Sequence, residues 1–133
     1  MFSHVFIGVG EFDQALRFYS ALMKVLDLEL RFCEPEKPWA GWHGPGRSRP
    51  LFVIGTPYNG QPHDPGNGQT IAFAACDRAT VRACYHAALQ HGGTCDGPPG
   101  LRPHYHAHYY GAYFRDPDGN KICVASHAAQ GAE

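Results

Sequence analysis

The sequence lacks three features that would each point to a large class of proteins. Its five cysteines include no C-x-x-C pair and follow no regular spacing, which argues against a disulfide framework and favours a reducing compartment. No run of about 18 apolar residues is present, so a membrane-spanning helix is not expected. Lysine and arginine number 11 against 12 acidic residues, a balance that offers no basic surface to nucleic acid or to an anionic membrane. We therefore expect a cytoplasmic protein that binds a small molecule.

Several catalytic and targeting motifs are also missing. The glycines of WAGWHGPGRSRP are not followed by G-K-[ST], and the GVG of residues 8–10 lacks the third glycine of a dinucleotide fingerprint. The nucleophile elbow G-x-S-x-G does not occur. The opening MFSHVFIGVGEF has no basic region ahead of its brief apolar run, unlike a signal peptide. These absences exclude a nucleotide cofactor and serine-hydrolase chemistry from the expected functions.

The size and composition of the chain indicate one folded domain. Its 133 residues fit a single domain over 1–133, and 44% hydrophobic residues are enough to form a core. The 16 glycines and 11 prolines predict many turns and short elements instead of a helical bundle.

The first half of the chain reads as one strand, one helix and three further strands. Residues 3–9 form an apolar run of strand length, with Val5, Ile7 and Val9 on one face. Asp13 is suited to cap the following helix, whose apolar residues recur every three or four positions. Further strands are predicted at 28–32, 39–43 and 51–54.

The second half repeats this order. A strand at 70–75 precedes a helix capped by Asp77, and a glycine- and proline-rich stretch before residue 109 predicts a loop. Strands at 109–115 and 121–126 flank the sequence DPDGN, whose proline and glycine favour a tight hairpin turn. The sequence therefore predicts an α+β fold of two βαβββ repeats, at about 1–60 and 67–128. We expect them to form a cup-shaped, curved mixed sheet with the helices outside and a ligand in the concavity.

Two stretches, SHVFIGVGEFDQALRFYSALM and YFRDPDGNKICV, together with this element order, resemble the vicinal oxygen chelate superfamily. That superfamily includes glyoxalase I, fosfomycin-resistance thiol transferases, extradiol dioxygenases and bleomycin-binding proteins. The resemblance spans nearly the whole chain, and LRPHYH with YYGA at 101–112 is similar to bacterial glyoxalase-like members. It implies a homodimer in which the first half of one subunit and the second half of the other complete each cup.

The resemblance also implies a divalent metal, namely zinc, nickel, manganese or iron, that binds two neighbouring oxygens of the substrate. The ligand positions of the superfamily map onto His4, Val53, Thr70 and Cys123. Histidine and cysteine are zinc ligands, so His4 and Cys123 are the candidate metal ligands. Valine cannot coordinate a metal, and threonine stands where the superfamily often has histidine. A metal-free protein is therefore the alternative.

Two other stretches supply candidate substrate-binding residues. Trp42 and Arg47 lie in one loop, where an indole can stack on a planar ligand and a guanidinium can hold a carboxylate or phosphate. The competing interpretation is a solvated basic loop. In HYHAH, His104, His106 and His108 would share a face if the segment were extended, and Tyr109 follows them. These residues, together with Thr70, are candidates to line the substrate site. The alternative is that the histidine-rich stretch is an ordinary surface loop.

The sequence thus favours a glyoxalase-like protein, and two functions stay open. The first is a metal-dependent lyase, isomerase or transferase acting on a small oxygenated substrate, with the metal as a Lewis acid. A Cys123 nucleophile activated by His4 is a minor variant of it. The second is a metal-free protein that sequesters a small molecule, as the bleomycin-binding relatives do.

Overall fold

The computed structural model describes residues 1–129, which form two mixed four-stranded sheets, each with one helix. The elements in chain order are β1 (His4–Gly8), α1 (Phe12–Val25), β2 (Glu29–Glu34), β3 (Trp39–His43), β4 (Leu51–Gly55), β5 (Ile71–Ala74), α2 (Arg78–Gln90), β6 (Thr94–Leu101), β7 (Tyr110–Arg115) and β8 (Lys121–Ser126).

The two sheets have the same topology. The first has the strand order β1-β4-β3-β2 and the second has the order β5-β8-β7-β6. The pairs β1–β4 and β5–β8 are parallel, and the other neighbouring pairs are antiparallel. The predicted pair of βαβββ repeats is confirmed, and β1 and β5 lie at the edges of their sheets.

The prediction of a loop before residue 109 was wrong in part, because β6 (Thr94–Leu101) pairs with β7. The strand carries Pro98 and Pro99, and its register with β7 shifts around Gly97, which has a φ of 149°. Proline cannot donate to a ladder, but β6 is an edge strand whose outer side has no neighbour within its sheet. Strand pairing is therefore compatible with a composition typical of loops.

The two helices begin in different ways. Asp77 caps α2 as predicted, since its Oδ1 accepts a hydrogen bond from the Thr80 amide at 2.8 Å. The same role predicted for Asp13 was wrong. Glu11 is the N-cap of α1 without a side-chain cap bond, and Asp13 lies in the first turn, where its charge suits the helix dipole.

One apolar core joins the two halves of the chain. Helix α1 turns Phe18 and Tyr19 inward, and both are fully buried. The Phe18 ring lies 6.1 Å from Phe114 of β7, whereas the Tyr19 ring lies 5.1 Å from Phe52 of β4. A helix from the first repeat therefore packs against strands of both sheets.

The predicted DPDGN turn is present, and it also connects the two halves. Asp116 is buried and accepts a 2.6 Å hydrogen bond from the Tyr19 hydroxyl. Asn120 donates to Asp116 Oδ2 at 2.9 Å and to the Gly8 carbonyl at 3.0 Å. The turn at the far end of the chain is thus bonded to the end of β1 and to α1. Both sequences that carry the family resemblance meet here, in a structural contact.

Among residues 1–129, no helix has the length and apolar character that crossing a membrane requires.

Candidate functional site

A cavity of about 530 Å³ lies where the first sheet approaches the edge strand β5. This volume is within the roughly 300–1,000 Å³ of ligand pockets. Most of its lining is apolar. It is lined by Phe2, Val5, Leu28, Trp42, His43, Gly44, Arg47, Arg49, Pro50, Leu51, Phe52, Thr70, Ile71, Ala72, Phe73 and Ala74.

Three aromatic side chains form one wall of this cavity. Phe52 and Phe73 meet edge to face, with ring centroids 4.9 Å apart and planes at 80°. Trp42 lies 6.3 Å from Phe52 at a smaller angle of 31°. Trp42 is 3% exposed and Phe52 is 7% exposed, so neighbouring atoms fix both rings. The wall is therefore a preformed apolar surface for a flat ligand.

The basic groups of the cavity come from one segment, the loop between β3 and β4. Arg47 and Arg49 are exposed and line the cavity. The Arg31 Nη1 donates a 3.3 Å hydrogen bond to the Ser48 carbonyl, which ties the loop to β2. Among the described residues, no aspartate or glutamate lines the cavity. The loop therefore presents positive charge beside an apolar wall.

The polar side chains of Tyr109, Tyr113 and Cys123 form a cluster at the second sheet. The Tyr109 hydroxyl is 2.9 Å from the Tyr113 hydroxyl and 3.5 Å from the Cys123 Sγ. Tyr113 and Cys123 are direct partners in the β7–β8 ladder, which fixes their spacing. Burial raises the pKa of Tyr109 well above its usual range and also raises the pKa of Cys123. Both groups keep their protons at neutral pH, which argues against Cys123 as a nucleophile and Tyr109 as an acid.

Two of the nine histidines are hydrogen-bonded to each other beside Tyr109. His106 Nε2 lies 2.8 Å from His127 Nδ1. The His108 amide donates to His106 Nδ1 at 3.1 Å, so Nδ1 carries no proton and Nε2 carries one. We assign the tautomers from this network, with His106 as donor and His127 as acceptor. This bond occupies the Nε2 of His106 and the Nδ1 of His127.

The remaining histidines of HYHAH do not share a face as an extended segment would place them. Residues 102–108 form turns instead of a strand, so the alternation predicted for His104, His106 and His108 was wrong. The His104 ring stacks on Tyr105 at 4.2 Å and is exposed.

The two candidate metal ligands lie on different sheets. His4 is exposed at the start of β1 and its Nδ1 is 3.0 Å from the Ser3 hydroxyl. Cys123 is 1% exposed in β8, where Tyr109 contacts it. Among residues 1–129, no group of three or more histidine, cysteine, aspartate or glutamate side chains is arranged to hold a metal ion. The side chains of one chain thus do not fit the metal centre that the resemblance implies.

The structure sorts the predicted site residues into two places. Trp42, Arg47 and Thr70 line the cavity. His106 and Tyr109 lie together in the loop between β6 and β7, with Cys123 of β8 next to Tyr109. Phe73 and His127 were not among the residues predicted from the sequence. Phe73 follows Thr70 in an apolar strand, and nothing in the sequence shows that the edge of β5 faces the segment that begins at Trp42.

The comparisons with known proteins agree with the fold. The family model described as Glyoxalase/Bleomycin resistance protein/Dioxygenase superfamily matches residues 1–124. A crystal structure of a glyoxalase/bleomycin resistance protein from Albidiferax ferrireducens is 39% identical, covers 95% of this chain and 98% of that one, and superposes with a TM-score of 0.84.

More distant structures share the fold alone. A glyoxalase-related enzyme from Fulvimarina pelagi is 17% identical, with coverage of 95% and 87% and a TM-score of 0.71. Lactoylglutathione lyase from Agrobacterium tumefaciens is 21% identical, with coverage of 95% and 92% and a TM-score of 0.62. No curated protein matches the chain. By the extent of the family match and the similarity to the Albidiferax protein, this chain belongs to the glyoxalase/bleomycin resistance protein/dioxygenase superfamily.

Proposed function

We propose that this protein binds a small molecule with an apolar body, without a metal, in the cavity between β5 and the segment from Trp42 to Arg49. The observation that supports this is the cavity itself, about 530 Å³ in volume and walled by the rings of Trp42, Phe52 and Phe73. Ligand pockets are mostly apolar and carry few polar groups, which is the composition found here. Bleomycin resistance proteins stand beside enzymes in the description of the matching family.

The cavity holds its ligand by contact and charge. Within residues 1–129, His43 is the one histidine, cysteine, aspartate or glutamate in the lining, and its Nδ1 contacts the Gly44 carbonyl at 2.8 Å. The His43 Nε2 is 3.6 Å from the Glu29 carboxylate. Apolar burial contributes roughly 25 cal/mol per Å², so a flat ligand that covers the aromatic wall gains affinity without coordination.

The experiment is a fluorescence titration of Trp42 in a Trp39→Phe background, where Trp42 is the only tryptophan. Two-ring aromatic compounds of neutral, negative and positive charge are added to chelator-treated protein and to protein reloaded with zinc, nickel, manganese or iron. We expect some compounds to change Trp42 emission equally in both preparations. Binding seen only after reloading would contradict the proposal.

A matched pair of variants tests the location. Thr70 is exposed at the rim of the cavity, so Thr70→Phe fills space without disturbing the core. Thr94 is exposed at the start of β6, away from the cavity, and Thr94→Phe is the control. We expect Thr70→Phe to weaken the titration and Thr94→Phe to leave it unchanged. If the two variants bind the compounds with equal affinity, the cavity is not the ligand site.

The second candidate is a metal-dependent lyase, isomerase or transferase formed by a homodimer. It is favoured by the positions of His4 and of the Tyr109, Tyr113 and Cys123 group, which lie on separate sheets. The edge strands β1 and β5 have no neighbour on their outer sides within their own sheets, and such edges can pair with another chain. A second copy could then bring the first sheet of one subunit to the second sheet of the other.

The metal content and the oligomeric mass of the protein distinguish the metal-free binding protein from the metal-dependent enzyme. Light scattering with size-exclusion chromatography gives the oligomeric state, and elemental analysis of untagged protein gives the bound metal. If the protein is a metal-dependent enzyme, we expect a dimer with one ion per subunit. The variant His4→Ala should then lose this ion. Retention of the ion in His4→Ala would exclude His4 as a ligand.

We also propose that the protein works in the cytoplasm. All five cysteines are free, and two of them, Cys76 and Cys95, are exposed. A reducing compartment maintains exposed thiols in this state.

A further inference from the structure

The lining of the cavity combines aromatic rings with two cationic residues. The rings of Trp42, Phe52 and Phe73 carry no charge, and Arg47 and Arg49, which carry guanidinium groups, line the same cavity. This arrangement matches a ligand with a flat apolar body and one anionic end.

The two guanidinium groups are available to an added anion. Neither forms an ion pair or a side-chain hydrogen bond within residues 1–129, although Arg115 and Lys121 of the same structure both contact Asp96. The carboxylate of Glu29 lies 3.6 Å from the Nε2 of His43, which lines the cavity. Within the described part of the chain, no carboxylate therefore pairs with the positive charge of the loop.

The shape of the anionic group follows from the chemistry of arginine. A guanidinium presents parallel N–H donors that match the two oxygens of a carboxylate. The aromatic wall favours a planar body, since rings pack best on rings in offset or edge-to-face contact.

From this geometry we propose that the ligand of the cavity is an aromatic carboxylate, with its rings against Trp42 and its carboxylate on Arg47 and Arg49. This inference rests on the proposed function, because it assigns a chemical class to the molecule that the cavity binds. A cationic ligand would meet two like charges at the same place and is disfavoured.

The test compares 2-naphthoate with 2-naphthamide, which have the same rings and nearly the same shape but differ in charge. Both are titrated into chelator-treated Trp39→Phe protein while Trp42 emission is followed. We expect the naphthoate to bind roughly ten-fold more tightly, as one charge-assisted hydrogen-bonded contact contributes about 1.5 kcal/mol. The difference should shrink at high salt, because the arginines are exposed.

The variant Arg47→Gln/Arg49→Gln tests the assigned residues. It should weaken naphthoate binding by roughly ten-fold and leave naphthamide binding unchanged. Arg17→Gln is the matched control, since Arg17 is exposed on α1 and lies outside the cavity. It removes one positive charge without touching the lining.

The outcomes separate this inference from the proposed function. Equal binding of both compounds to all proteins would overturn the carboxylate assignment and leave the cavity as a neutral ligand site. Loss of naphthoate binding in Arg17→Gln to the same extent would assign the effect to net charge and also overturn it. Failure of both compounds to bind would overturn the inference and count against the proposed function. Trp42 emission that changes with protein concentration and not with ligand would show a second copy in the cavity, which contradicts both.

Discussion

At the scale of single residues, the motifs most specific to the family have a structural role in this chain. Tyr19 comes from the first motif and Asp116 from the second, and the two are joined by a 2.6 Å hydrogen bond in the interior. Burial raises the pKa of Tyr19 well above its usual range, with the Asp116 charge adding to the effect. The phenol thus stays protonated and donates, and this bond connects α1 to the β7–β8 turn.

The hydroxyl of Tyr19 should therefore matter for stability. Tyr19→Phe removes a donor from a buried carboxylate, for which we expect a loss of about 1–3 kcal/mol in the free energy of unfolding. Tyr58→Phe is the control, because Tyr58 is fully exposed, and it should change stability by less than about 0.5 kcal/mol. Urea unfolding measures both variants. If Tyr19→Phe unfolds at the wild-type urea concentration, the bond carries no net stability.

The five cysteines should differ widely in reactivity. Burial raises the pKa of Cys84 to about 12. At neutral pH its thiolate fraction is therefore roughly three orders of magnitude smaller than that of an ordinary thiol, whose pKa is about 8.5. Exposed Cys76 and Cys95 should react first with iodoacetamide at neutral pH, and Cys84 and Cys123 should react only after denaturation. Mass spectrometry of tryptic peptides reads each site separately. Fast labelling of Cys123 in the folded protein would restore it as a candidate nucleophile.

How far the site could be predicted depends on which contacts were local in sequence. Trp42 at the end of β3 and Arg47 in the following loop are five residues apart, and both line the cavity. Phe73 joins them only because β5 lies beside this segment in space. The distance between His4 and Cys123 was also set by tertiary structure, since they belong to different sheets.

At the scale of elements, residues 102–109 form a closed loop at the end of β6. The Arg102 amide donates to the Tyr109 carbonyl at 2.8 Å, and the Tyr109 amide donates to the His106 carbonyl at 3.2 Å. The 2.8 Å bond between His106 and His127 then ties the loop to the end of β8. The tie depends on one imidazole nitrogen lacking a proton.

This tie should slow the opening of the loop. The Tyr109 ring packs against both imidazoles, 5.7 Å from the His106 ring and 5.3 Å from the His127 ring. We expect the amide hydrogens of 102–109 to be protected from exchange while the bond between the two histidines is present.

A pair of variants tests whether the histidine bond is the cause. His127→Ala should accelerate exchange in 102–109, and His86→Ala should behave like the wild type because His86 is exposed on α2. Hydrogen exchange with mass spectrometry measures the segment. Equal protection of the wild type and of His127→Ala would show that the loop is held by its backbone bonds alone.

Seven of the eight strands and both helices could be predicted from periodicity, and the exception is β6. The strands β3 and β8 have their predicted bounds, because each carries a compact run bounded by turn residues. The edge strand β6 was missed, since pairing on one side alone tolerates Pro98 and Pro99.

At the scale of the whole molecule, the two repeats have separate sheets but a common interior. Ring contacts run from Phe114 through Phe18 and Tyr19 to Phe52, and from there to Phe73 of the second sheet. Neither half can bury these side chains alone, because each ring contacts residues of the other half. The repeats should therefore unfold together.

Truncating one of these rings tests that cooperativity. Phe114→Ala opens a cavity in the second half, for which we expect a loss of about 3–5 kcal/mol, whereas Leu89→Ala at a partly exposed position should cost about 1 kcal/mol or less. Trp39 and Trp42 emission reports the first half, and the labelling of Cys84 by iodoacetamide in urea reports the second. If the core is shared, both probes give one midpoint, and Phe114→Ala lowers the two midpoints equally. A tryptophan midpoint that stays at the wild-type urea concentration while Cys84 becomes reactive earlier would mean that the halves are separate cooperative units, each stabilised by its own sheet and helix.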